Sequence, residues 1–152
     1  MGALREILQD PRVMYAYNGP FDEQECAAWL QKQLRRYEEF GFGLWAVLLK
    51  ETGRMIGQCG ITMQEYKDKM VPEVGYLFAT EAARACREYG VKTLGFPVIY
   101  SIIRDTNEAS QQVAIRNGMH PIDTLVKHYR GVEMPHIVYA VEPELEPGNK
   151  RQ

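Results

Sequence analysis

Apolar and polar positions along this chain follow two periods, and each change of period marks a new element. Ala3 to Leu8 reads as a short helical stretch, closed at Asp10-Pro11 because proline disfavours helix in the residue before it. Val13-Met14-Tyr15-Ala16-Tyr17 follows and is broken by Asn18-Gly19-Pro20. Asp22 can cap the next helix with Glu25 three residues on, as in a capping box, and Phe21 is placed to staple to a later apolar residue. Cys26, Trp29, Leu30, Gln33 and Tyr37 share one face, which predicts a helix to about Tyr37 that ends at Gly41-Phe42-Gly43.

The period then shortens. Leu44 to Leu49 predicts a buried strand, Glu51-Thr52-Gly53-Arg54 a hairpin turn, and Met55 to Thr62 the returning strand. Gly57 and Gly60 within that strand predict a bulge or a close backbone approach. Gln64 to Val71 reads as a polar connection, and Pro72 opens a strand from Glu73 to Phe78. Thr80 to Tyr89 reads as a helix whose small residues Ala82, Ala83, Ala85 and Cys86 let it lie close to a sheet. Pro97 to Arg104 predicts a strand parallel to Glu73–Phe78, because each of the two feeds a helix and such crossovers are right-handed. Asn107 to Arg116 is the second of those helices, with Asn117-Gly118 as a left-handed cap. Asp123 to Tyr129 and Pro135 to Val141 form a closing hairpin around Arg130-Gly131.

That order predicts an α/β domain over residues 1–141 with a mixed sheet and a central parallel pair. Residues 142–152, with two prolines and mixed charge, read as a frayed C-terminal tail.

Composition changes this picture little. At 152 residues the chain can bury a real core, and 45% hydrophobic with 25% charged residues is ordinary for a globular domain. A formal charge of -2 gives no reason to expect a nucleic-acid or membrane surface. No apolar run approaches the ~20 residues of a membrane helix, and the first residues lack the layout of a signal peptide. Cys26, Cys59 and Cys86 are odd in number and lack Cys-x-x-Cys spacing, so they read as thiols in a reducing cytoplasm. His120, His128 and His136 show no metal-ligand spacing and read as structural.

Five stretches taken in order carry a resemblance. They are Asp10-Pro11-Arg12-Val13-Met14, Gly43-Leu44-Trp45-Ala46-Val47, Ile56-Gly57-Gln58-Cys59-Gly60, the run Glu73–Phe78 into Ala79–Ala85, and Asn107-x-x-Ser110-x-x-Val113-Ala114-x-x-Asn117-Gly118-Met119. Together they resemble the GNAT N-acetyltransferases, in the branch of the ribosomal-protein N-terminal alanine acetyltransferases. The resemblance implies the GNAT (acyl-CoA N-acyltransferase) fold, in which the central parallel strands splay apart between flanking helices. It implies acetyl transfer from acetyl-CoA, as cosubstrate and without a metal, to a primary amine by direct attack. The acceptor is a protein N-terminus or a small-molecule amine; neither nucleic acid nor membrane is a partner, and a homodimer is a possible assembly.

Site residues follow from the same resemblance. Tyr76, Leu77 and Phe78 supply the backbone edge that pairs with the pantetheine arm and polarises the thioester carbonyl. Ala79 and Thr80 begin a helix whose N-terminus faces the pyrophosphate. Asn107 and Ser110, one turn apart, reach the pantetheine amide or the diphosphate. Glu73 is the base, acting directly or through water. Beside each stands a plainer reading: an interior strand for Tyr76–Phe78, helix caps for Thr80 and Asn107, a surface carboxylate for Glu73. Trp45 reads as core, while Tyr15 and Tyr17 suit either the core or the acceptor side. Ala114 occupies the position where many members place a tyrosine acid, which leaves the proton donor to the thiolate unassigned.

The chain departs from the family pattern twice. No strand precedes the first helix, and Phe78 abuts Ala79 where the family has a Gly-rich loop around the pyrophosphate. A strand that turns back into a packed helix ordinarily needs about 2–6 loop residues. The expectation is that Phe78 and Ala79 are not covalent neighbours in the intact molecule. A true deletion is the alternative, and it favours a non-catalytic GNAT-fold binding module.

Overall fold

The computed structural model describes residues 1–77 and 80–142. The expected gap at Phe78–Ala79 and the tail from 143 onward lie outside the described residues.

The chain opens with helices α1 (Gly2–Leu8), α2 (Pro11–Met14), a 3-10 turn (Tyr15–Tyr17) and α3 (Glu23–Phe40). Asp10 caps α2 by accepting from the Arg12 N–H at 2.8 Å, with Pro11 in the first turn where its missing N–H costs nothing. The capping box of α3 is complete: the Glu25 N–H donates to Asp22, and the Asp22 N–H donates to the Glu25 carboxylate. The helix passes the predicted end at Tyr37 and stops at Gly41, whose φ of 74° is the first left-handed conformation available. Leu8, Met14, Phe21 and Cys26 gather with Leu77 into one apolar cluster, so the helical arm is pinned to the sheet by burial.

Six strands form a single mixed sheet in the order β1-β2-β3-β4-β6-β5, with β1 Leu44–Leu48, β2 Met55–Tyr66, β3 Lys69–Leu77, β4 Ile99–Arg104, β5 His120–Tyr129 and β6 Val132–Val141. The central β3–β4 pair is parallel and all the others are antiparallel. Both features expected around Gly57 and Gly60 occur. The register slips between Val47 and Leu48, opposite Gly57 and Met55, and a side chain at Gly60 would overlap the Gly43 carbonyl. Helix α4 (Thr80–Lys92) packs on β2 and β3, and α5 (Glu108–Arg116) follows β4. At Gly90 a Cβ would meet Ile61 and Ile99, so this glycine sets how closely α4 approaches the sheet. Ile61, Val74, Ala83, Ile99, Val113 and Ala114 form the main core between helices and sheet.

One expected connection is absent. Gln64 to Val71 is not a polar loop; β2 and β3 are a long hairpin joined at Lys67-Asp68, which have φ of 50° and 59°. Two successive left-handed residues make the tight turn that matches strand twist, usually signalled by Asn-Gly, and neither residue here is glycine. Pro72 consequently lies inside β3, opposite Met63. β4 pairs with β3 only at Glu73, so the missing proline N–H falls where the ladder does not need it. At the end of α5 the left-handed role belongs to Gly118 (φ 77°), while Asn117 stays at φ -84°.

Candidate active site

The parallel pair is a seam rather than a full ladder. A single pairing, Glu73 with Tyr100, joins β3 to β4. Beyond it, side chains bridge the widening gap. The Ser101 hydroxyl donates to the Val74 carbonyl at 2.8 Å, and the Ile102 N–H donates to Glu73 Oε1 at 3.0 Å. Since the Val74 carbonyl points toward β4, the backbone of Tyr76, two residues on, faces the same opening. Leu77 pairs with Gln58 on the other side of the strand. The seam is therefore held ajar by polar side chains, and it opens into a cleft of about 700 Å³.

Glu73 sits at the root of this cleft. Thr62 is its buried partner across the β2–β3 ladder, and Gln64 Nε2 donates to Thr62 Oγ1 at 3.0 Å. Desolvation holds the carboxyl above its ordinary pKa, against the opposing pull of Lys127, the Ile102 N–H, Arg36 and Thr62. One oxygen thus completes the seam, and a proton acceptor with raised basicity remains at the cleft floor. The plainer reading of Glu73 as an exposed carboxylate does not hold.

On the α5 side, Asn107 does two things with one atom. Its Oδ1 accepts from the Ser110 N–H at 3.1 Å, which is the helix cap, and from the Tyr15 hydroxyl at 2.6 Å. Among the described residues its amide nitrogen has no protein partner. Ser110 is half-buried beside it, and its carbonyl accepts from the Tyr76 hydroxyl at 2.6 Å. Burial pushes the Tyr76 phenol well above its usual range, so this hydroxyl is a fixed donor. Thr80 begins α4, and Phe78 and Ala79 lie outside the described residues.

The opposite wall comes from the helical arm and β5. Tyr17 packs edge-on against Phe21 and Trp29, with centroids 6.0 and 5.7 Å away, and burial raises its phenol to about 12. Tyr15 and Tyr17 both line the cleft, whereas Trp45 lies outside it against Tyr89 and the main core. Arg104 ties the arm to β4 by donating to the Tyr15 carbonyl at 3.2 Å. His136 lines the cleft with its Nδ1 against the Met134 carbonyl, and desolvation keeps it below its ordinary pKa. His128 faces Glu133.

Sequence reasoning passed over Lys32, Arg36 and Lys127, which also line this wall. A signal was present. Trp29, Lys32 and Arg36 fall on one stripe of α3, and Lys127 sits between Leu125 and Tyr129 on the inward row of β5.

The Acetyltransferase (GNAT) domain family model matches residues 1–120. The uncharacterized protein YkkB of Bacillus subtilis is 36% identical over 130 residues, which are 80% of this chain and 76% of that protein. An acetyltransferase structure from Agrobacterium tumefaciens is 28% identical and superposes with a TM-score of 0.74, covering 93% of this chain and 84% of its own. The ribosomal-protein-S5-alanine acetyltransferase of Vibrio fischeri shares the fold with a TM-score of 0.64 at 15% identity, over 91% of this chain and 88% of its own. With the splayed pair and its flanking helices in place, these matches show that the chain belongs to the GNAT acetyltransferase family.

Proposed function

We propose that this protein is an acetyl-CoA-dependent N-acetyltransferase acting on a primary amine in the cytoplasm. The observation that carries the proposal is Glu73, a desolvated carboxylate at the root of the splay, beside a strand edge whose Tyr76 backbone is unpaired toward β4. In this reading the strand from Tyr76 through Leu77 to Phe78 takes the pantetheine arm, with the Tyr76 backbone open toward β4, Asn107 meets it through its amide nitrogen with Ser110 beside it, and Ala79 and Thr80 take the phosphates. Acetyl-CoA supplies an activated acetyl thioester.

The amine arrives mostly as ammonium at neutral pH and must lose a proton before it can attack. Glu73 takes that proton, directly or through one water. The amine nitrogen then forms the C–N bond to the thioester carbonyl carbon, and the backbone N–H of Tyr76 stabilises the oxyanion. The C–S bond breaks with its electron pair on sulfur. The second nitrogen proton passes to solvent water, and the thiolate leaves as thiol after taking a proton from Glu73 or from solvent, so that one proton is released in all.

The Phe78–Ala79 junction favours a second reading, a GNAT-fold module that binds without catalysis. A thermal-shift titration with coenzyme A, followed by thiol release over a panel of amines, separates the two. A ligand at one hundred times its Kd stabilises by about 2.7 kcal/mol, so binding raises the melting temperature by several degrees. A shift with no thiol release from any amine leaves the binding module; no shift at all removes both.

A further inference from the structure

The acceptor wall carries more positive charge than deprotonating an amine requires. Six cationic side chains line the cleft, Arg12, Lys32, Arg35, Arg36, Arg104 and Lys127, against the carboxylates of Glu25 and Glu73. Arg12 is neutralised by Asp10, and Glu25 by Arg130. Five cations and one carboxylate remain, in a protein whose formal charge is -2. Among the described residues, Lys32, Arg36 and Lys127 make no ion pair.

These three converge from different elements. Lys32 and Arg36 lie one turn apart on α3, Lys127 reaches in from β5, and Glu73 feels both Arg36 and Lys127. Lys32 in turn feels Arg36 and Lys127 as like charges. Converging, partly desolvated cations repel one another and destabilise the empty site unless an anion joins them. Lys32 stays exposed at the cleft rim and Arg36 is half-buried, and desolvation lowers the pKa of both.

We infer that the acceptor amine is carried by an anionic molecule, and that its carboxylate or phosphate docks among Lys32, Arg36 and Lys127 while the amine faces Glu73. The inference rests on the acetyl-transfer reading of the same cleft. It excludes polyamines as preferred acceptors, since each extra positive charge would meet this wall. The wall also serves the chemistry, because nearby cations lower the pKa of a bound ammonium and ease its deprotonation.

Matched acceptors test this at saturating acetyl-CoA: alanine against alaninamide, and O-phosphoethanolamine against ethanolamine. In at least one pair the anionic member should have the higher kcat/KM, by about tenfold, roughly one well-made charge contact. Alaninamide has the less basic amine, so free-amine supply works against this result. The favoured pair identifies carboxylate or phosphate as the group recognised. In Lys127→Met and in Lys32→Met the ratio within that pair should fall toward one, and Lys127→Arg should restore it. Equal rates within both pairs, or a preference for the neutral members, would overturn the inference. So would a rise in the KM of acetyl-CoA as the variants' main defect, which would assign the cations to the cosubstrate's phosphates. If no amine is acetylated, the acetyl-transfer reading fails by itself. Calorimetric titration of N-acetylalanine against N-acetylalaninamide then decides the anion site: tighter binding of the acid, lost in Lys127→Met, supports it, and equal binding overturns it.

Discussion

On the β3 side of the cleft, the groups left over for a ligand belong to the backbone: the edge at Tyr76 and the start of α4. On the α3 and β5 side they are the ends of long side chains, Lys32, Arg36 and Lys127. Backbone groups are placed by strand and helix geometry, so they survive wholesale change of sequence. A side-chain wall is rewritten by one or two substitutions. This difference suits an enzyme class that shares one cosubstrate and varies its acceptors. It also explains why a structure only 28% identical superposes over 93% of this chain without naming an acceptor.

The comparison turns on Glu73, which stands between the two walls. Glu73→Gln should lower kcat/KM by about 10²–10⁴-fold, the usual contribution of a general base. The fold should persist, because the amide carbonyl can still accept from the Ile102 N–H. The wild-type rate should rise with pH through the raised Glu73 pKa, and the variant should keep only the limb set by the amine. Stability has the opposite slope. A carboxyl whose folded pKa lies above its unfolded value stabilises most when both states are protonated, and that contribution is lost as pH rises from the ordinary carboxylate range through the folded value. Glu73→Gln should therefore melt higher than wild type at neutral pH and show little such gain in acid. Wild-type turnover by the variant would reduce Glu73 to a seam residue.

A smaller effect sharpens the cofactor wall. Asn107→Asp keeps an oxygen for the Ser110 N–H and the Tyr15 hydroxyl but removes the amide donor. Acetyl-CoA should bind about tenfold more weakly, the cost of one lost polar contact, with little change in melting temperature. Unchanged affinity in a calorimetric titration would leave Asn107 as a cap alone. The smallest effect belongs to Tyr15→Phe, which deletes one hydrogen bond between the walls at a residue 47% exposed. Denaturant unfolding should show a loss of about 1 kcal/mol or less, and kcat/KM should change only a few-fold. A large catalytic loss would mean that Tyr15 positions more than Asn107.

Much of this fold was legible because the signals were local. The Asp22–Glu25 box, the Asn107 cap and the crowding at Gly60 each depend on a few neighbouring residues and the backbone they favour. The parallel pair was legible because two strand–helix units in series leave little other choice of topology. The β2–β3 turn was not, since Lys67-Asp68 adopts a conformation usually reserved for glycine or asparagine. At the site, Glu73 and Asn107 could be placed by motif, but their bonds to Ile102 and Tyr15 span 29 and 92 residues. Lys127 was missed for another reason. A lone lysine on an inward row of a strand means little until α3 brings Lys32 and Arg36 against it.

In mechanical terms, the sheet is two three-stranded ladders joined along one line. β1, β2 and β3 lie within the first 77 residues, and β4, β6 and β5 all follow residue 98, so the division in space is also a division in sequence. Along the join run one strand pairing and two bonds between β3 and β4, Ser101 to Val74 and Ile102 to Glu73, and at its far end Tyr66 and Lys67 of the β2–β3 hairpin are bonded to Asp123 of β5. The join carries fewer strand pairings than any other line through the sheet. The cleft lies along the line where the sheet has the fewest strand pairings, and every antiparallel ladder beside it is complete in itself.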